Sequence, residues 1–232
     1  MQWMLDTYIV DGNLQHTYKN GVARIYAKLD DYACLVAAML QLASITGEQS
    51  LIVRAASITE IVQRDFLHDD KTFFYYSSIT QTDIPVRKTD LYDGATPSAN
   101  GMMAANLIWL GMVMERSAWI EQGRYMLNQM QGQAARYATS FSGWAVLGQR
   151  MAAGYVSLVV AGEGVNDALN RLNRRLLPHA FILRVREGSN SVPLSTGKHS
   201  NDGLKLYVCD TESCRLATTD IEQVEQMLGN KL

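Results

Sequence analysis

Four prolines in 232 residues leave long stretches in which nothing interrupts a helix. Three cysteines, an odd number, make no disulfide framework of the kind that staples small secreted domains. Charged residues are only 19% of the chain and the net charge is −2. With no basic excess to neutralise phosphates, nucleic acid is not a predicted partner. Scarce charge beside 47% hydrophobic residues also excludes a disordered chain. The richest apolar run, residues 33–43, falls short of the ~18 residues a membrane span needs, so no membrane partner is predicted. The opening MQWMLDTYIVDGN has no basic region, and Asp6 and Asp11 interrupt it, so it does not read as a signal peptide. The expectation is a soluble, cytoplasmic protein with reduced thiols.

What the sequence has is helical periodicity. Trp3, Met4, Tyr8 and Ile9 suggest the end of a helix, followed by turns at Asp11-Gly12-Asn13 and Asn20-Gly21. Residues 30–46 are apolar on most faces, which predicts a helix surrounded by other elements, with Asp30 or Asp31 as N-cap and Gly47 as stop. Residues 48–67 are amphipathic: Leu51, Ala55, Ile58, Val62 and Phe66 follow helical spacing. Residues 68–98 lose the period, apart from a short extended piece at 73–76; so long a loop is usually functional or disordered. Residues 99–115 are again apolar nearly all round, and 117–138 form a second amphipathic helix. Trp119 matches Leu51 and Leu110 matches Leu42, both at an interval of 68. The pattern is an internal repeat of inner helix, outer helix and loop. Residues 142–153 read as the next inner helix.

After Gly154 the texture changes. Residues 156–162 form a β-branched run typical of a buried strand, 165–177 are helical, 181–185 and 204–209 are strands, and 221–228 a last helix. Two regions are predicted: a helical-hairpin half-toroid over 1–154 and a small α/β unit over 155–232. The fold class expected is mainly α, a partial α/α-hairpin toroid of the six-hairpin glycosidase type with a C-terminal α/β unit. No single hairpin can bury its inner helix. The open edge of about half a ring would need covering by the α/β unit, by a second copy of the chain, or by a partner chain.

Three stretches are more distinctive: LDDYACLVAAMLQLASITGE, RKTDLYDGATPSANG and YVCDTESCRLATTD. In this order they resemble the C-terminal part of the YyaL-like family of thioredoxin-domain-containing proteins, which has a spermatogenesis-associated member. The resemblance extends over nearly the whole chain. It implies a six-hairpin α/α toroid similar to those of N-acylglucosamine 2-epimerases and certain glycoside hydrolases. The thioredoxin-like domain of that family is not among the matching residues, so its redox role does not carry over.

Chemistry-bearing residues gather at the start of the two inner helices. Asp30, Asp31 and Tyr32 open the first; Ser98 and Asn100 open the second, at the equivalent repeat position. Equivalent positions share a rim, so two helix N-termini with their partial positive charge point to one mouth. Arg87, Lys88, Asp90, Tyr92 and Asp93 arrive just before the second helix. The cluster suits sugar hydroxyls, carboxylates or phosphates, and predicts a sugar or sugar-phosphate ligand. Asp31 and Asp93 are the predicted acid and base, as sugar chemistry requires; the others are predicted to bind ligand. The plainer reading of the same residues is N-caps, a turn at Asp93-Gly94 and a structural ion pair by Arg87.

Cys209 and Cys214 are separated by four residues, where a thioredoxin-type site has two. They read as ordinary thiols, a disulfide or redox pair, or two of four zinc ligands with His199 nearby. None of His16, His68, His179 and His199 pairs at metal spacing, and no metal site is predicted. Gly162 and Gly164 lack the third glycine of a dinucleotide turn, and 195–198 lacks the first glycine of a phosphate loop, so no cofactor is predicted. The functional expectations are a toroid binding or modifying a sugar-like ligand, a non-catalytic helical scaffold docking a thioredoxin-like or other protein partner, or a thiol-redox accessory acting through Cys209 and Cys214.

Overall fold

A computed structural model describes residues 1–185 and 191–229. About half of the chain is helical. It begins with α1 (Gln2–Tyr8) and a meander of β1 (Ile9–Val10), β2 (Asn13–Lys19) and β3 (Val22–Tyr26), antiparallel in the order β1-β2-β3. This sheet is absent from the sequence-based expectation. Its burial pattern is weak, since β3 is exposed at four of five positions and leaves no alternation to read.

Helix α2 (Leu29–Thr46) follows. Its N-cap is Lys28, not Asp30 or Asp31; Asp31 sits in the first turn, where its carboxylate accepts the Lys28 backbone N–H at 2.8 Å. Gly47 ends it in the left-handed region (φ 73°), and a Cβ there would lie 2.5 Å from the Arg184 side chain. Only glycine meets both demands. By length and apolar composition α2 is sufficient to cross a membrane, which the reading of the sequence did not register. Its buried face, including Ala33, Val36, Met39 and Leu40, lies in the main core.

α3 (Gln49–Asp65) packs on α2, and after the long loop α4 (Ala99–Val113) and α5 (Ser117–Arg136) repeat the pair. Ser98, called a ligand-binding residue, caps α4 by accepting the Gly101 N–H, which is the plainer of the two readings of it. Every residue of α4 except Met102 and Ala105 is buried. α4 and α5 cross closely at Gly123, where a Cβ would meet the Ala104 carbonyl at 2.6 Å and Ile108 at 2.8 Å. The inner helices α2 and α4 lie side by side: buried Asn106 donates to the Ala33 carbonyl at 2.9 Å, and Cys34 Sγ and Met102 Sδ lie 4.0 Å apart. Both helices therefore start at the same end. α6 (Ser142–Ala153) packs on α4 and α5.

The remaining elements are β4 (Val156–Ala161), α7 (Val165–Asn173), β5 (Ala180–Val185), β6 (Lys205–Cys209), β7 (Cys214–Thr218) and α8 (Ile221–Gly229). The sheet order is β5-β4-β6-β7, with β4 parallel to β5 and the other pairs antiparallel. β4 is buried at all six positions because both of its faces are covered. Val159 and Ala161, with Phe181 and Leu183 of β5, face the helices; Val156, Leu158 and Val160, with Ile182, face α7 and α8. The sheet meets the trailing end of α2, where Ile182 N–H donates to Ser44 Oγ and Gln49 donates to the Arg184 carbonyl. The leading ends of α2 and α4 point the other way. α2 is ~27 Å long at 1.5 Å per residue, so the sheet and the leading ends are well separated.

Candidate functional site

The loop after α3 builds the rim at these leading ends. Leu29 N–H donates to the Tyr76 carbonyl and Tyr76 N–H to the Lys88 carbonyl. Tyr76 OH donates to Asp30 Oδ2 at 3.2 Å. Burial first, and then the charge of Asp30, push the Tyr76 phenol up to about 12, so it stays a donor at neutral pH.

Several predicted ligand-binding residues turn out to hold this rim together. Asn100 is fully buried; its Oδ1 accepts Phe74 N–H at 2.8 Å, and its Nδ2 donates to the carbonyls of Phe74 and Asp90. Arg87 donates to the carbonyls of Ser77 and Asp65, and its guanidinium lies 4.1 Å from the centre of the Tyr75 ring. Tyr32 is in the core, 5.2 Å from Phe66 between ring centres, where burial raises its pKa. These three are corrections: a side chain committed to backbone groups or to the core has little left to offer a ligand. Lys88, Asp90 and Tyr92 are exposed, Tyr92 lying against Phe141.

Asp93 brackets two helices. Its Oδ1 accepts Ser98 N–H at 2.8 Å; its Oδ2 accepts Gly143 N–H at 2.6 Å and Ser142 OH at 3.1 Å. A carboxylate shared between the leading ends of α4 and α6 suits both helix dipoles. Asp31, by contrast, accepts from His16 Nδ1 at 2.8 Å in addition to the Lys28 N–H. An ionised carboxylate only accepts, so in this contact His16 Nδ1 carries the proton and donates it. The sequence offered no sign of His16: it comes from β2, the middle strand of the N-terminal meander, fifteen positions before its partner.

Two clefts open on the rim. One, of 310 Å³, is lined by Tyr8, Leu14, His16, Asp31, Cys34 and Leu35, among others. The other, of 390 Å³, lies between α4 and α6, with Asp93, Ser98, Met102, Ser142, Val146 and Arg150 among its walls. Cys34 belongs to the first and Met102 to the second, and the two touch, so the clefts adjoin. Burial, and then the charges of Asp30 and Asp31, raise the Cys34 thiol pKa, which keeps it protonated and a poor nucleophile at rest. Among the described residues no group of three or more His, Cys, Asp or Glu side chains is placed to hold a metal ion. Cys209 and Cys214 are joined as a disulfide, which removes the zinc reading, since zinc takes thiolates.

The fold is thus a mainly α body of paired helices with a small α/β unit at one end and two polar-rimmed clefts at the other. No family model matches the chain. It is 24% identical over 218 residues to uncharacterized protein B0495.5 of Caenorhabditis elegans, covering 91% of this chain and 30% of that protein. It is 24% identical over 213 residues to spermatogenesis-associated protein 20 of Rattus norvegicus and 22% to that of Homo sapiens, in each case covering 86% of this chain and 27% of the relative. The chain is a distant homologue of these proteins and spans less than a third of their length.

Proposed function

We propose that α2 to α6 are consecutive hairpin elements of an α/α toroid, and that the adjoining clefts on their leading rim bind a small polyhydroxylated ligand, a sugar or sugar phosphate. The observation that carries this reading is the His16–Asp31 pair at the wall of a 310 Å³ cleft that is apolar along most of its lining, with Gln15 beside the pair. Such a cleft offers the Tyr8 and Leu14 side chains to the apolar side of a sugar ring, and His16 with Asp31 to its hydroxyls. His16 Nε2 is the atom there able to exchange a proton with a ligand hydroxyl, with Asp31 fixing the tautomer. Asp31 thus moves from the acid–base role expected of it to one of positioning His16. Asp93, with both oxygens already accepting, positions the second cleft.

Calorimetry and thermal melting with mono- and disaccharides and their phosphates test the idea. A binder at 100 times its Kd should stabilise the chain by about 2.7 kcal/mol, and His16→Gln and Asp31→Asn should abolish that gain while leaving the fold intact. If no sugar in the panel shifts the melting temperature, the proposal is wrong.

A second reading has its own support. Trp3, Ile25 and Tyr26 are 61%, 59% and 51% exposed on the N-terminal helix and sheet, with Met4, Tyr18 and Val22 also exposed there. On this reading the chain is a scaffold whose apolar N-terminal face docks a protein partner or a second copy. Light scattering separates the two: a monomer at all concentrations, unchanged by Trp3→Ser with Ile25→Ser, counts against self-docking.

A further inference from the structure

Cys209 ends β6 with its side chain in the main core, 1% exposed; Cys214 opens β7 and is exposed. The two are direct partners in the β6–β7 ladder, beside an irregularity at Val208 and Cys209. The turn between them is already closed without sulfur. Asp210 N–H donates to the Ser213 carbonyl at 2.8 Å, and Asp210 Oδ1 accepts both Glu212 and Ser213 N–H at 2.8 Å. Beyond the pair, Leu206, Tyr207 and Val208 stay in register with β7, and Arg124 of α5 donates to Thr211 Oγ1 at 3.0 Å. A disulfide that spans so short a loop removes about 2 kcal/mol of unfolded-chain entropy, less than half of what one closing a long loop removes, and the folded turn is closed without it. Its chemistry is the better account of it. The pair also borders a 300 Å³ cleft between the turn and the α4–α5 connection, whose walls include Gly111, Met112, Ile120 and Lys198. This cleft is at the opposite end of α4 from the rim described above, so the observation is independent of the sugar reading.

We propose that Cys209–Cys214 is a thiol–disulfide exchange site whose substrate is a dithiol, with Cys214 the sulfur attacked and Cys209 the resolving one. A thiolate of the dithiol attacks exposed Cys214 Sγ from the cleft side. The bond to Cys209 breaks, and Cys209 leaves as a thiolate that takes a proton from water. The second thiolate of the dithiol then attacks its own sulfur in the mixed disulfide and releases Cys214, which is protonated in turn. The chain gains two electrons and two protons, and the dithiol becomes a disulfide. Reverse exchange with an oxidised dithiol restores the bond. Because the turn and ladder persist, both redox states share one fold.

The test uses the full chain with dithiothreitol as the dithiol, alkylation with iodoacetamide and site-resolved mass spectrometry. Dithiothreitol should add two alkylatable thiols, at Cys209 and Cys214, reversibly on treatment with its oxidised form. Reduction should lower the melting temperature by no more than about 10 °C, about 2 kcal/mol of loop entropy at about 2–4 °C per kcal/mol. In Cys209→Ser, oxidised glutathione should cap Cys214 at least ten times faster than it caps Cys209 in Cys214→Ser. If Cys209→Ser does not fold, wild-type chain quenched midway through reduction should carry the alkyl label on Cys209 and the mixed disulfide on Cys214. A fall of more than about 10 °C on reduction would make the bond a structural staple and overturn the proposal. Equal capping of the two sulfurs, or two free thiols after oxidation, would overturn it as well.

Discussion

Cys34 and Met102 are 68 positions apart, the interval at which inner helix, outer helix and loop recur, and their sulfur atoms lie 4.0 Å apart between the two clefts. Equivalent places in successive hairpins are thus in direct contact. The contact depends on the rest of α4 lying close against its neighbours, and small residues and buried amides set that closeness.

Gly123 is one such residue. Replacing it with Ala puts a methyl 2.6 Å from the Ala104 carbonyl and should destabilise the chain by about 1–3 kcal/mol, because a backbone oxygen cannot swing aside. Gly132 lies on the same helix, exposed and with nothing within 4 Å of a Cβ. Gly132→Ala should stabilise by up to about 1 kcal/mol through helix propensity alone. Urea denaturation of the two variants should therefore give opposite signs.

Asn100→Ala should cost about 2–4 kcal/mol, since it strips partners from a buried N–H and two carbonyls at once. Asp31→Asn, at a half-exposed position, should cost far less. Equilibrium unfolding of the pair would separate a residue that holds the rim from one that faces a cleft. A small loss for Asn100→Ala would show that the 68–98 loop is anchored elsewhere.

Glu225 ties α8 to α7. Arg171 donates to both of its carboxylate oxygens at 2.8 Å and Arg175 lies 3.2 Å away. The hydrogen bond from Arg171, opposed by some burial and helped by the charges of both arginines, holds its pKa below the usual glutamate value. A carboxylate lowered in the folded state adds stability that is present above the ordinary glutamate pKa of about 4.3 and is lost as pH falls through the folded value. The denaturation midpoint of wild type should therefore drop more steeply than that of Glu225→Gln between about pH 5 and pH 3. Parallel profiles would mean the pair contributes nothing.

The helical body was largely legible because its signal is periodic and repeated. Residues 142–153 of α6 and the stop at Gly47 follow from apolar spacing and a single glycine. The β1–β3 meander and β7 were not legible, because strands with almost no buried side carry no alternation: β2 buries Leu14 alone, and β1, β3 and β7 have no buried position. For the site, spacing placed Asp31 and Asn100 at the same end. It did not reveal that Asn100 would be wholly consumed by the backbone of residues 74 and 90, or that His16 would reach Asp31, because both depend on loop and hairpin paths that leave no periodic trace.

Strand β4 has no solvent side, and its two parities answer to different neighbours. Odd positions such as Val159 belong to the helical body and even positions such as Leu158 to the layer formed by α7 and α8. A probe at one parity would report on one layer and a probe at the next residue on the other, so six consecutive residues hold an address for each half of the molecule.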